Sequence, residues 1–542
     1  MDGTGNNGYQ QGYSVPAYTV PAEKPVYRME KSDNTAAVLI SAACIIGIPA
    51  SLWGGMSLGF TVTYAVMFAV FTLYLMRKRR FFPIGIYAYI SGVLSLGCAL
   101  VFSISGNSGV NFSAFILVVL LGGQWLGYLG GWRDGSSDLG PLSSALDSLF
   151  GNTFRNLGTA MRSVFSKREG KAGKLSKVLL GIACSVIPLI IIVQLLVSAD
   201  AAFEGFVDNV FGDPVTLLIK VLVGLAAVPF FLSYALGLQK TCQRVSPEKS
   251  GNRGMDPTAV NSFLTMISVC YLFYLFSQTA YFFSAFRGML PAGEDLTPAA
   301  YARRGFFEMC AIAGINLLIV LLTSGLSKKA EGRLNGFTKA LDTFISIFTL
   351  VIIATALSKM VLYMDRFGLT QKRIQTSAFM IFLGVVFLAL IVRLYVRKVP
   401  VFKISAAAAA VIIMAMGFSN IDARIAEYNT DAYLSGKLET VDVYSISSMG
   451  LEGAQSLIDI IHSGSPEADE ARDELFNIVC GYYDIDNSGD KTVFTRSMKE
   501  FGYWRLSDEI GYEAIENYLE EDDFRDMYMD MINTVTYYHP GS

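Results

Sequence analysis

The sequence predicts an all-α fold: a polytopic transmembrane helix bundle of about 11 helices with a small helical extramembrane C-terminal domain. Three observations predict it. Residues are 52% hydrophobic with a mean hydropathy of +0.43, and the excess gathers in runs of the ~17–25 residues that a helix needs to cross hydrocarbon. Basic residues mark every second loop between those runs. Beyond residue 418 the apolar pattern stops, and residues 419–542 carry 26 acidic against 8 basic residues. The preceding stretch holds 35 basic and 20 acidic residues, so a near-neutral total of −3 joins two parts that need different surroundings.

Residues 1–34 are rich in Gly, Asn, Gln, Tyr and Pro and nearly free of aliphatic side chains, which predicts a disordered tail. The tail lacks the short basic-then-apolar start of a signal peptide, so the first helix is expected to act as an uncleaved anchor. Spanning helices are predicted over about 36–53, 57–76, 82–104, 112–132, 177–198, 214–237, 258–286, 305–325, 341–363, 376–396 and 402–418. Hydrocarbon offers backbone groups no other partner, so each run must be helical. The bundle is assigned to 35–418 and the acidic domain to 419–542.

Lys and Arg in short loops stay on the cytoplasmic side of a membrane. With the amino terminus there, residues 1–34, Arg77–Arg80, 133–177, 239–257, 326–340 and 397–403 bring 26 bases to that side, and the opposite loops carry 6. The expected protein is multi-pass in a plasma membrane, with its amino terminus cytoplasmic and its C-terminal domain extracytoplasmic. The last span is the weak link. Its alanine run Ala406–Ala410 is poorly lipophilic, and a helix lying flat there would leave the domain in the cytoplasm.

Within 139–168, Leu142, Leu146, Phe150, Phe154, Leu157, Met161 and Phe165 recur every three or four residues and make one apolar face. Arg155, Arg162 and Lys167 sit elsewhere, and Arg168, Lys171, Lys174 and Lys177 follow. An amphipathic helix on the inner leaflet, held by anionic lipid through 139–177, fits this pattern. Packing against the cytoplasmic face of the bundle is the other reading. Gly123, Gly127 and Gly131 recur every fourth residue, a stripe that lets helices approach closely within one chain or across a dimer.

Near the outer face, Arg303, Arg304 and Glu308 open the eighth span. Arg304 and Glu308 stand four apart and can pair on one helical face, with Asn316 further along it. Lys220 and Lys359 fall at a comparable depth. Ionisable groups inside a membrane usually face a cavity or a partner, so one expectation is an outward-facing polar pocket pairing Glu308 with Lys359 or Lys220. The plainer expectation has both lysines snorkelling to the headgroups and Glu308 paired with Arg304 alone. Gln124, Gln194, Gln278 and Asn316 supply amides for bonds between helices.

Asp484, Asp486, Ser488 and Asp490 copy the start of a calcium-binding EF-hand loop, with Gly489 in sixth position. Thr495 stands where a bidentate Glu belongs, so a surface turn is preferred and no metal is expected. The only histidines, His462 and His539, have no companion at ligand spacing, and the 7 cysteines include no CxxC pair. GxSxG, GxxxxGK[ST], HExxH and GxGxxG are absent, so no cofactor and no catalytic residue is assigned. Basic residues follow loops, not an aromatic-interleaved patch, and nucleic acid is not implied. In the acidic domain, Ser465-Pro466 is read as a helix cap and first position, and Ser507–Glu509 as the start of another helix.

Tyr301–Glu308 with Ala311–Leu318, then Tyr363–Arg373, Asn420–Asn429 and finally Trp504-Arg505, resemble bacterial polytopic membrane proteins catalogued as domain of unknown function 4173, with relatives under 4153. The resemblance covers roughly 35–520 and departs at Asp442-Val443-Tyr444, which Ser445 follows in place of leucine. It implies an inner-membrane location and an external carboxy-terminal region, with no established activity or catalytic residues to carry over. The expected function is a membrane sensor or interaction protein that offers 419–542 to a protein partner. A small-solute transporter comes second, and a lipid-modifying enzyme using the outer charged cluster third.

Overall fold

The computed structural model describes residues 31–78, 85–131, 140–165, 214–240, 255–287, 306–327, 334–396, 399–486, 493–497 and 502–520. Several expectations lie outside these residues: the tail over 1–30, the span over 177–198 with Gln194, and the bases Lys167–Lys177. Arg303, Arg304, Ser488 and Asp490 lie outside them too. Nine described helices are long and apolar enough to cross a membrane, and Ile86–Val101 is a shorter apolar one. The fold is all-α and polytopic.

The first span runs as α1 (Lys31–Ala42), a π-turn (Ala43–Gly47) and α2 (Ile48–Trp53). Pro49 accounts for the widened turn, since it lacks an N–H and crowds the carbonyl four residues back. The helix starts inside the segment that composition assigns to a tail. Asp33 explains why: it is buried and holds the Lys78 ammonium at 2.8 Å and the Tyr74 hydroxyl at 2.9 Å.

Next come α3 (Leu58–Lys78), α4 (Ile86–Val101), α5 (Ser108–Leu129), α6 (Gly140–Leu146), a second π-turn (Asp147–Gly151), α7 (Asn152–Phe165) and α8 (Pro214–Lys240). α1, α3, α5 and α8 enclose a core of Ile40, Phe71, Leu75, Leu126 and Leu238. The amphipathic segment packs on this group by its small and polar side. Ser144, Ala145, Ser148, Asn152 and Thr153 are buried, while Leu146, Phe150 and Phe154 face outward. Ser233 donates to the Thr153 carbonyl, and a Cβ on Gly237 would come within 2.6 Å of the Asn152 side chain. Of the two sequence readings of 139–168, packing on the bundle is the one seen, and the helix still presents apolar side chains outward. Beside it, Phe60, Phe68, Phe71, Phe115, Phe150 and Phe231 line a cavity of about 440 Å³.

A second group comprises α9 (Pro257–Arg287), α10 (Phe306–Leu326), α11 (Gly336–Phe367) and α12 (Gln371–Tyr395), around Leu264, Val320, Ile345, Ile352, Met380 and Phe387. α13 (Val401–Phe418) joins the two groups by packing on α4, α5 and α12. Its alanine run, poor in lipophilicity, serves this contact: Ala406 and Ala410 are buried against Cys98, Val101 and Ala114.

The acidic segment folds around Ile446, Leu457, Ile460, Leu475, Val479, Ile515 and Tyr518. Its elements are α14 (Ile421–Leu434), α15 (Val443–Ser447), α16 (Ala454–Ser463), α17 (Ala468–Tyr482), β1 (Tyr483–Asp486), β2 (Val493–Arg496) and α18 (Leu506–Leu519). Two expectations change here. Ser465 does not cap α17, which starts at Ala468, and its hydroxyl is buried without a partner. The EF-hand-like stretch is flanked by an antiparallel hairpin, in which Asp484 pairs with Thr495 and Ile485 with Phe494. Alternating apolar and polar residues favour that pairing over flanking helices. Arg496 then ties β2 to α18, reaching Glu516 at 2.6 Å and Glu509 at 2.9 Å.

Candidate functional site

α13 ends where Ser419 and Asn420 turn the chain, and Asn420 adopts left-handed backbone at φ 48° and ψ 67°. Asparagine tolerates that region better than most residues. The turn delivers Asp422, in the first turn of α14, onto the start of α5. There Asn107 caps α5, accepting from the Val110 N–H at 2.9 Å. Its amide nitrogen donates to Asp422 at 2.8 Å, while Gln375 of α12 donates to its oxygen at 3.1 Å. Three helices therefore meet at one side-chain amide.

From the domain side, Glu452 sits in a 3-10 turn (Gly450–Gly453) and accepts from the Gly106 N–H at 2.9 Å. Its carboxyl lies close to that of Asp422, and Gln371 and Ser507 stand beside the pair. Asp508 follows and accepts from the Tyr503 hydroxyl at 2.6 Å. Asp422, Glu452 and Asp508 are 3%, 8% and 7% exposed. Two buried carboxyls this near each other resist a second negative charge, which favours the neutral form. Burial pushes Glu452 up to about 7, with the charges of Asp422 and Asp508 adding to it and the bond from Gly106 opposing. Burial also raises Asp422, against the bonds it receives. Among the described residues no group of three His, Cys, Asp or Glu is arranged to hold a metal ion.

Two further attachments flank this acid pair. Residues 502–507 are stitched onto the bundle by backbone bonds. Gly59 N–H donates to Gly502 at 2.8 Å, Leu58 N–H to Trp504 at 3.1 Å, and Leu506 N–H to Ser103 at 2.8 Å. The Arg505 guanidinium donates to the Gly55 carbonyl at 2.8 Å. On the other flank Asn429 brackets Leu369 in the elbow between α11 and α12, accepting from its N–H at 2.7 Å and donating to its carbonyl at 2.9 Å. Arg373 closes the same elbow on the Phe367 carbonyl at 2.9 Å and stacks on Tyr363. Tyr363–Arg373, Asn420–Asn429 and Trp504-Arg505, far apart in sequence, thus converge on one seam.

Of the residues singled out in the sequence, Gly123 admits the Leu149 side chain, which a Cβ would meet at 2.6 Å. Gly127 is buried and Gly131 turns the chain after α5 at φ 82°. Gly123 thus serves packing within the chain. Glu308 is exposed in the first turn of α10, and Lys359 is half-buried in α11. Asn316 is fully buried, accepting from Tyr271 at 2.6 Å and donating to Thr349 at 2.8 Å. Its pairing with Thr349 sets an antiparallel register that puts Glu308 and Lys359 at one level. Lys220 belongs to the first helix group, 5.9 Å over the Trp53 ring. Asp484, paired in the hairpin, accepts from Ser497 at 3.0 Å. The acid pair itself had no local signal beyond Asn420–Asn429, which contains Asp422.

These features define a multi-pass membrane protein with a folded acidic domain bound to one end of its helix bundle. The chain belongs to the family described as domain of unknown function DUF4153, whose family model matches residues 35–460. This corrects the emphasis of the resemblance, since the related 4153 description is the one matched. No curated protein and no solved structure matched the chain.

Proposed function

We propose that this protein is a membrane sensor of a bacterial plasma membrane. Its amino terminus is cytoplasmic and residues 419–542 form an extracytoplasmic domain open to a protein partner. The observation that carries the reading is the Asp422–Glu452 pair, an acid pair buried in the seam between domain and bundle. Taking up or losing one proton there changes the cohesion of the two parts, because a second negative charge in that buried site is costly and Arg505, the cation beside it, is bonded to the Gly55 carbonyl. External acidity then sets how firmly the domain is held. Anionic lipid contact through 139–177 would steady the opposite face.

Hydrogen exchange in nanodiscs tests the coupling. Protection of the Leu58, Gly59 and Leu506 amides, corrected for intrinsic rates, should fall between about pH 5 and about pH 9 and should not fall in Glu452→Gln. Equal protection across that range in the parent protein removes the reading. Orientation is tested separately at Cys480, which is exposed. A membrane-impermeant thiol reagent should label it on intact cells, and labelling only after lysis reverses the assignment.

A further inference from the structure

The second helix group contains a line of buried polar side chains that the seam does not use. Asp342 of α11 is 0% exposed. One of its oxygens accepts from Thr323 of α10 at 2.8 Å, and the other, Oδ2, has no partner. One turn toward the start of α11, Thr338 donates to Asn261 of α9 at 2.6 Å. Deeper along α11 come Ser346, bonded to the Asp342 carbonyl at 2.7 Å, and Thr349, which holds Asn316. The Thr323–Asp342 and Asn316–Thr349 pairs are separated by seven residues along each of two antiparallel helices, so α10 and α11 face each other along this whole line. Two further hydroxyls near it, Ser327 and Ser268, are buried and also lack partners.

α11 ends in the elbow clasped by Asn429, so its start at Gly336 lies at the membrane face opposite the domain. Asp342 stands six residues, about 9 Å, inside that end. A carboxylate in such a place is costly unless a cation or a proton offsets its charge. No ion pair involves Asp342 among the described residues. The nearest ionisable groups by register are Lys339, whose ammonium lies over the Tyr395 ring, and Arg393 of α12. Cys310 and Tyr271 lie deeper, the latter committed to Asn316. Salt-bridge stabilisation therefore does not explain the residue. Packing does not explain it either, since an apolar side chain would fill the site without leaving an oxygen unbonded.

We infer that Asp342 is a proton-binding site inside the membrane domain, reached from the face opposite the acidic domain past Asn261, Thr338 and Ser327. In the step, a proton from water at that face bonds to a lone pair of Oδ2, giving a neutral carboxylic acid. Deprotonation reverses it. The hydroxyl and amide line beyond, Ser346, Thr349, Asn316 and Tyr271, finds its partners elsewhere and leaves Oδ2 as the open position. This inference is independent of the sensor reading, since it concerns other helices and the other face.

A hydrophobic carbodiimide, which adds to protonated carboxyls buried in membranes, is the probe. Applied to the full chain in nanodiscs and mapped by peptide mass, it should modify Asp342 at about pH 5. The yield should fall about tenfold per pH unit once the group ionises, and no modification should remain in Asp342→Asn. Asp342→Asn keeps the Thr323 bond and mimics the neutral acid, so it should fold like the parent. Infrared difference spectra supply a readout without reagent access: a protonated-carboxyl C=O band present in the parent and missing in Asp342→Asn. Absence of both signals overturns the inference, as does labelling that ignores pH. Protection by sodium at fixed pH overturns it in favour of a sodium site.

Discussion

Asn429 and Leu369 exchange two hydrogen bonds, 2.7 and 2.9 Å long, so a side-chain amide of the acidic domain completes the backbone pairing of an elbow in the bundle. The elbow has been shaped for it. Gly368 sits at φ 71°, and a Cβ there would meet the Asn429 oxygen at 2.5 Å. Two helices of the second group are in this way fastened to the domain at their turning point.

Replacing Asn429 by Ala leaves the Leu369 N–H and carbonyl without partners in a half-buried position. Loss of about 1–3 kcal/mol is expected. Thermal unfolding in detergent should show a lower midpoint, and exchange at the Leu369 amide should accelerate while the domain core around Leu457 and Val479 stays protected.

The acid pair fixes the sign of a pH effect. Asp422 and Glu452 bind protons more tightly folded than unfolded, so their contribution is complete below about pH 4. It is lost as pH rises through the raised values, about 7 for Glu452. The change amounts to roughly 2–4 kcal/mol. Melting midpoints taken from acid to mildly alkaline buffer should fall in the parent and stay nearly level in Glu452→Gln.

Gly502 has φ 90°, and a Cβ on it would lie 3.0 Å from the Ala50 carbonyl oxygen. Gly502→Val should therefore strain the stitch by about 1–3 kcal/mol. Limited proteolysis should cut between β2 and α18 sooner in this variant. An unchanged digestion pattern would show that the stitch carries no strain there.

Two glycines make an internal comparison. A Cβ on Gly224 would stand 2.7 Å from the Ile45 Cα and 2.8 Å from the Cys44 carbonyl, backbone that cannot turn aside, whereas nothing lies within 4 Å of Gly314. Gly224→Ala should lower the yield of monodisperse protein and cost about 1–3 kcal/mol. Gly314→Ala should be neutral or stabilising by up to about 1 kcal/mol.

Span positions were legible because long apolar runs leave little choice; α12 and α13 match their predicted ranges within five residues. The start of α11 shows where this fails. Hydropathy begins the helix at 341, since Thr338 and Lys339 read as loop, yet Asn335 caps it by accepting from Phe337 at 2.9 Å. The missing turn placed Asp342 at the end of the predicted span and concealed how far inside the helix it lies. Asp422 and Glu452 were hidden differently. Among 26 acids in one segment, no local pattern separates a buried carboxyl from a solvated one; only Asn107 and Gly106, more than 300 residues earlier, mark them. Hairpin β1–β2 escaped because strands of four residues carry too little periodicity to outweigh a helical background.

The bond from Ser57 to the Gly502 carbonyl spans 445 positions of sequence. During synthesis the turn between α2 and α3 must wait for that many more residues to emerge, roughly 20–90 s at ordinary elongation rates. Until then the early helices have inserted but the edge that the domain will cover has unpaired amides. Membrane quality-control proteases would meet a nascent chain whose final latch arrives late, so a ribosome stalled within the acidic portion leaves a product already embedded and never locked.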